Sequence, residues 1–218
     1  MVAAAASTRA GEAAADLAQR IRDAILDGRF APNQRLIEAD LSESFEASRA
    51  SVRSALMMLA TEGIVERLPN RGARVRAISL GEAIEIVEAR IGLESLVARK
   101  AAAKRSDAEV RELRELGDEI EASVSSGDFM NYSRLNQLLD ARLREISGHA
   151  TATQLLERLG AQSARHQFRL AYEPGRAATS APEHVAIIDA VVAGDADAAE
   201  RATRTHLQGI IDLLSARR

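Results

Sequence analysis

The sequence predicts a mainly α fold in two parts. A small N-terminal unit of three helices closed by a β-hairpin comes first. A C-terminal antiparallel all-α bundle of about six helices follows. Three observations carry this reading. Apolar residues recur at helical spacing through most of the 218 residues. The period changes only around Ile64–Arg76, where two short β-like runs flank a Pro/Asn/Gly turn. The apolar content is Ala, Leu, Ile and Val, with 3% aromatics and no Trp, which suits closely packed helices.

Residues 1–12 read as a frayed, disordered tail. The Ala-rich stretch lacks the apolar core of a secretion signal and is interrupted by Arg9 and Glu12. The N-terminal unit spans 13–77. Leu17, Ile21, Ala24 and Ile25 share one face of a helix over Ala13–Leu26, and Gly28 stops it. Pro32-Asn33 makes a turn. Arg35-Leu36-Ile37 is extended or leads into the second helix, Glu38–Phe45. Ser48 is a good N-cap for a third helix that runs to about Glu62 and buries Val52, Ala55, Leu56 and Leu59. Gly63 ends it. Ile64–Arg67 and Ala73–Arg76 then form the hairpin. Three helices and a hairpin, with a tight turn between the second and third helices, is the order of a winged helix-turn-helix.

The second part, 78–218, reads as helices over 80–104, 107–124, 128–147, 151–170, 181–193 and 195–216. Ser106-Asp107, Ser125-Ser126-Gly127, Gly148, Pro174-Gly175 and Gly194 punctuate them. Their length, about 20 residues each, suits an antiparallel bundle.

The absence of Cys excludes disulfides, thiolate zinc sites, iron–sulfur clusters and cysteine nucleophiles. No apolar run approaches the ~20 residues that span a bilayer, so no membrane association is expected and the expected location is the cytoplasm. The net charge of −3 argues against nucleic acid as a partner, but its distribution reverses the argument. Residues 1–76 carry 11 Arg against 10 acidic groups, while 77–218 carry 18 basic and 22 acidic groups. Within 47–76, six Arg (49, 53, 67, 71, 74 and 76) face only Glu62 and Glu66. A local basic patch on an acidic chain is a site-sized signal.

The stretch from Leu36 to Val75 resembles the N-terminal domain of GntR-type bacterial transcription regulators. The resemblance rests on Ser48-Arg49, Arg53-Ser54-Ala55-Leu56, Leu59-Ala60-Thr61-Glu62-Gly63 and Asn70-Arg71-Gly72-Ala73-Arg74-Val75. Ala50-Ser51 departs from the Thr-Pro of many members. Arg49 and Arg53, four apart near a helix N-terminus, share the face opposite the apolar stripe. That is the end a recognition helix presents to base edges, where Arg can grip guanine with two hydrogen bonds. Ser48 and Ser51 can reach phosphates or bases. Arg71 and Gly72 sit at the wing tip, where Gly permits close backbone approach and Arg suits a minor groove.

The remainder resembles the FadR-type C-terminal ligand-sensing domain (the FCD domain), on "EARIGLESLVARKAA", "LNQLLDARLREISGH" and "EHVAIIDAVVAGDADAAERATRTHL". About six helices, rather than seven, points to the VanR-like branch. The resemblance implies one divalent transition metal per subunit (zinc, nickel or manganese), held by an Asp, a His four residues later and two more His. The last two fall on His184 and His206. The first two fall on Asn136 and Asp140, leaving Asp140, His184 and His206 as the metal set with Asn136 marginal. Without metal, the two histidines would be hydrogen-bonded pocket residues. Arg90 aligns with an effector-facing Arg suited to a carboxylate, or else forms a salt bridge to Glu94, Glu88 or Asp140. Asn136 is a second effector-binding candidate beside Arg90, Arg165 and Arg169 are weaker ones, and His149 and His166 suit surface or pocket-rim roles.

The resemblance thus implies a homodimeric regulator, most often a repressor, whose grip on a double-stranded DNA operator is controlled by a small-molecule effector, expected to be a carboxylate. Two other classes compete. A metal-dependent enzyme on the bundle would leave the DNA-reading head unexplained, and no activated nucleophile stands out. An architectural DNA-binding protein would not need so large a bundle.

Overall fold

The computed structural model describes the backbone of residues 2–68, 72–171 and 175–216, and side chains over the same spans apart from 2–11 and 163–171. The chain divides into two compact units, Met1–Ile78 and Ser79–Arg218. Their described residues form nine α-helices and three strands.

In the first unit, α1 (Val2–Leu26) packs on α3 (Arg49–Thr61), with α2 (Glu38–Ser44) beside it. The backbone of residues 2–12, expected as a frayed tail, is helical here and continues α1 upstream, consistent with the helix propensity of its alanines. The expected apolar faces close the core: Leu17, Ile21 and Ile25 of α1 meet Val52, Leu56 and Leu59 of α3, all buried. Ser48 caps α3, its Oγ accepting from the Ser51 N–H at 3.1 Å. Glu62 accepts two hydrogen bonds from Arg22 Nη2 of α1 at 2.6 and 2.7 Å. The Glu62-Gly63 pair therefore ties the end of α3 to α1 and turns the chain into the wing.

The wing has more than the expected hairpin. β2 (Val65–Leu68) and β3 (Gly72–Val75) pair antiparallel, and β1 (Arg35–Leu36) adds to the other side of β3, giving the order β1-β3-β2. The registers are Arg35↔Arg74 and Leu36↔Ala73 on one side, Glu66↔Arg74 and Arg67↔Ala73 on the other. Gly72 stands at the start of β3 with φ +81°, and a Cβ there would meet the Leu36 carbonyl oxygen at 2.5 Å. The wing needs a glycine at this point whatever approaches it from outside.

The second unit comprises α4 (Leu80–Lys104), α5 (Asp107–Ser125), α6 (Phe129–Ser147), α7 (Ala150–Ala171), α8 (Arg176–Ala193) and α9 (Ala196–Ser215). Side chains of Ser79, Ser106, Asp128 and Asp195 cap α4, α5, α6 and α9. Ser106 and Glu109 complete a capping box. α4 packs along α9 and α6, α8 along α9 and α5, around a core that includes Leu113, Ile120, Leu135, Leu139, Ile188 and Val191. One boundary differs from expectation. α8 starts at Arg176, five residues before the expected 181, and holds Pro182 inside it. Pro182 lacks only its own N–H donor, and the turn before it still closes, with the Thr179 N–H on the Gly175 carbonyl.

Candidate functional site

The DNA-facing candidates gather on one surface of the first unit. Arg35, Arg49, Arg53 and Arg67 line a groove with Glu38 and Gly72, bringing together β1, α2, α3 and the wing. Arg49 is exposed and has no partner among the described residues. Arg53 is also exposed, and its Nε lies 3.2 Å from Glu38 Oε2. Arg74 is committed elsewhere, its Nη2 donating to Glu66 Oε2 at 2.6 Å across the β2–β3 ladder. Ser48 and Ser51 face each other at 2.9 Å between hydroxyls, so part of their hydrogen-bonding capacity goes to the helix cap. Arg71 lies outside the described residues. Arg67 belongs to the basic patch expected from the sequence, whereas Arg35 and Glu38 were not singled out, and their place in the groove follows from strand pairing rather than from a motif.

In the second unit, Asp140, His184 and His206 line one narrow cavity. α4 contributes Glu94 and Val97; α6 contributes Leu139, Asp140, Leu143 and Arg144; α8 and α9 contribute His184, Ile187, Thr203 and His206. Helical spacing puts Asp140 and Arg144 on one face of α6. The imidazoles of His184 and His206 lie 4.3 Å apart between ring centres. His206 Nδ1 is 2.8 Å from Glu183 Oε2, and Glu183 also accepts from Arg176 at 3.0 Å. The early start of α8 makes this possible, because Arg176 and Glu183 fall two helical turns apart on one face. His184 Nδ1 lies 3.4 Å from the Tyr132 hydroxyl. Burial, with help from His206 and Arg176, holds His184 well below the usual histidine range, so this imidazole is neutral. Glu183 is held below the usual carboxylate range, because its bonds to His206 and Arg176 outweigh the effect of burial.

Asp140 stands apart. It makes no hydrogen bond or close ion pair among the described residues, and its carboxyl is pushed up to about 6 by burial first and by the Glu94 charge second. Arg90, Arg144 and His206 oppose that shift without cancelling it. Arg90 is buried, and its Nε donates to Glu94 Oε1 at 2.6 Å. Burial alone would disfavour its charge, but Glu94 and Asp140 more than compensate. Arg90 and Asn136 are not part of the cavity lining, and Arg90 Nη1 and Asn136 Oδ1 are both buried without a partner. Arg165, His166 and Arg169 lie outside the described side chains. His149 accepts the Ala152 N–H at 3.2 Å, so it serves the start of α7.

The structure thus brings the two histidines together and puts Asp140 on the same wall. Among the described residues no group of three or more His, Cys, Asp or Glu is placed to hold a metal ion, so this donor set does not fit a preformed centre. Glu94 is the salt-bridge partner of Arg90 that the sequence offered as an alternative, whereas Glu183, Arg144 and Tyr132 were not anticipated. The position of Glu183 next to His184 was the one available signal.

Comparison with known families decides what these two units are. Residues 13–75 match the bacterial regulatory proteins of the gntR family, and residues 85–209 match the FCD domain. The chain belongs to the GntR family, FCD branch. It is a transcription regulator, not an enzyme, and its C-terminal unit is an effector-binding domain. The HTH-type transcriptional repressor RspR of Escherichia coli (strain K12) is 27% identical over 181 residues, covering 83% of this chain and 79% of its own length. The HTH-type transcriptional regulator LutR of Bacillus subtilis (strain 168) is 29% identical over 220 residues, covering 88% of this chain and 96% of its own. Among solved structures, E. coli McbR/YncC superposes with a TM-score of 0.79 at 20% identity, covering 94% of this chain and 98% of that one. That likeness speaks to the fold. No helix among the described residues of this GntR regulator is long and apolar enough to cross a membrane.

Proposed function

We propose that this GntR regulator is a homodimeric repressor that reads a two-part operator with α3 and the wing, and that a small carboxylate effector in the C-terminal cavity releases it. The observation that carries the DNA reading is the groove of Arg35, Arg49, Arg53 and Arg67. Of the four guanidinium groups around one concave face, Arg35 and Arg67 supply phosphate contacts, and Arg49 and Arg53 at the start of α3 supply base contacts. Arg71 and Gly72 extend the contact to the minor groove, and Ser48 and Ser51 add phosphate hydrogen bonds. Two copies are needed because one recognition helix covers only a half-site. The effector acts by binding more tightly to the state with low operator affinity, and that difference sets the size of the response. The location that follows is the cytoplasm, where the operator is.

Selection of operator fragments from a random DNA pool, followed by sedimentation of the complex, tests this reading. The expected result is a two-fold symmetric site bound by two chains. A complex with one chain, or no sequence preference, overturns it.

A zinc, nickel or manganese ion on Asp140, His184 and His206 is a second reading of the cavity. The Glu183–His206 contact favours it, because a carboxylate on one ring nitrogen leaves the other for a ligand. Plasma mass spectrometry of the untagged protein tests it. About one metal per chain, lost in Asp140→Ala and His206→Ala, supports the site.

A further inference from the structure

The arginine groove of the first unit contains an apolar strip that neither the fold nor phosphate binding explains. Ile37 and Leu68 line it among Arg35, Arg49, Arg53 and Arg67. Ile37 leaves 42% of its surface exposed. Met57 and Met58 of α3 are exposed too, but they lie outside the groove lining. The backbone around Ile37 is fixed on both sides. Leu36 before it is buried and pairs with Ala73, and Glu38 after it opens α2. The Ile37 carbonyl accepts the Leu41 N–H at 3.0 Å. A β-branched side chain on such a backbone has few rotamers.

Ile37 is also the N-cap of α2, at φ −91° and ψ 127°, and its side chain makes no capping hydrogen bond. Serine or aspartate side chains cap α3, α4, α5, α6 and α9. Isoleucine is among the poorest residues for that position. A side chain that breaks a local folding rule and also stays in solvent points to a task outside the fold. The groove around it offers cations to phosphates, and an isoleucine needs an apolar counterpart. On the base edges of a major groove the apolar group is the C5-methyl of thymine. Ile37 directly precedes Glu38, whose carboxylate lies 3.2 Å from Arg53 Nε. The apolar strip therefore adjoins the side chain that reaches for a base, as well as those that hold the backbone.

We propose that Ile37 is a specificity-determining residue of the operator interface. Its side chain packs on the C5-methyl of a thymine beside the base that Arg53 grips. The proposal rests on the reading of α3 as the recognition helix. It adds to that reading a demand for thymine that the arginines do not impose.

Fluorescence anisotropy tests it, with the full chain and an operator selected from the random pool. Each thymine of one half-site is replaced in turn by deoxyuridine, which keeps the base pair and removes only the methyl group. The expected result is one position where the replacement weakens wild-type binding about fourfold, the ratio that one buried methyl group produces. In Ile37→Ser the same replacement has no effect. Serine also supplies a capping hydroxyl, so this variant should melt at or above the wild-type temperature, and its weaker binding is then not a loss of fold. Ile37→Val, a smaller change, narrows the thymine-to-deoxyuridine ratio without removing it. A half-site with no thymine whose methyl group matters overturns the proposal. So does a deoxyuridine effect that persists undiminished in both variants. An equal loss by Ile37→Ser on operator and scrambled duplex also overturns it, and assigns Ile37 to the deoxyribose carbons instead. The reading of α3 fails separately: Arg53→Ala that binds operator as well as wild type overturns that reading. A loss in Arg53→Ala with no change in Ile37→Ser overturns only the role of Ile37.

Discussion

At the start of α3, Arg49 and Arg53 are exposed and most of their hydrogen-bonding capacity is unspent, while around the C-terminal cavity the charged groups are buried or half-buried beside one another. Arg49 has no described partner and Arg53 has only Glu38, whereas Arg90, Glu94, Glu183, Arg176 and His206 are held in short contacts. The difference follows from solvation. An exposed guanidinium costs little to leave unpaired until a phosphate or base arrives. A buried one must be answered at once, so a ligand entering the cavity has to fit charges already arranged. The two units can therefore be told apart by how each responds when one charge is removed.

The largest effect is expected on the outer face. Arg49→Ala combined with Arg53→Ala should weaken operator binding by a factor of at least about 30, since each bidentate base contact contributes roughly 1–3 kcal/mol of discrimination. Binding to unrelated duplex should fall much less. Fluorescence anisotropy on operator and scrambled DNA at two salt concentrations separates the two terms. Equal losses on both, with a shallower salt dependence, would make these arginines phosphate contacts and remove the base-reading assignment.

A comparable change inside the cavity should act on stability instead. The Asp140 carboxyl lies at about 6 in the folded chain against an ordinary 3.8, raised by burial and by Glu94. The folded state thus holds this proton more tightly than the unfolded one. Below about pH 4 both states are protonated and the group costs nothing. As pH rises to about 6 the folded chain loses stability, and above that the deficit is constant. Arg90 and Arg144 from α4 and α6, with His206 from α9, limit the deficit but leave it positive. Asp140→Asn removes the titration. Urea unfolding at pH 7.5 should find the variant more stable by about 1–3 kcal/mol, and the advantage should vanish near pH 4. A variant less stable than wild type at pH 7.5 would mean that Asp140 is already satisfied in solution.

Most of the fold could be read from the chain. The Ser48 cap, the Val52/Leu56/Leu59 stripe and the capped breaks at Ser106 and Gly194 are local signals, and each element they mark is present. β1 was harder, because two residues show no period and Leu36 becomes a strand only by pairing with Ala73. α8 starts five residues before the expected 181 and contains Pro182 within it. The site was legible in part. His184 and His206 carried a family pattern, and Arg144 lies one helical turn from Asp140, whereas the meeting of Glu94 on α4 with these α6 residues comes from helix packing, which spacing along the chain does not encode.

The wing tip separates folding from recognition at a single residue. Gly72→Ala forces a left-handed φ on alanine and drives its Cβ into the Leu36 carbonyl. The cost should be about 1–2 kcal/mol, with the β1–β3 pairing the first to weaken. Amide hydrogen exchange at Leu36 and Ala73 reads this without DNA. Unchanged protection there, with reduced operator binding, would assign the glycine to close DNA approach alone.

The smallest effect on folding, and the finest test of the outer face, concerns Glu38. Its ion pair with Arg53 is exposed, 29% and 60% by side chain, so Glu38→Gln should change stability by less than about 1 kcal/mol. Its effect on DNA depends on what the carboxylate does. As a mere negative charge in the groove it repels every duplex equally, and the variant should bind operator and scrambled DNA more tightly by the same factor. As the group that orients Arg53 toward a base edge, it contributes to discrimination. The variant should then gain affinity for scrambled DNA while gaining less, or losing, on the operator. We expect the second outcome, because Arg53 Nε is the atom engaged at 3.2 Å, which leaves both terminal nitrogens free to grip a guanine. A specificity ratio unchanged by Glu38→Gln would reduce Glu38 to background charge and leave Arg53 to find its base without guidance.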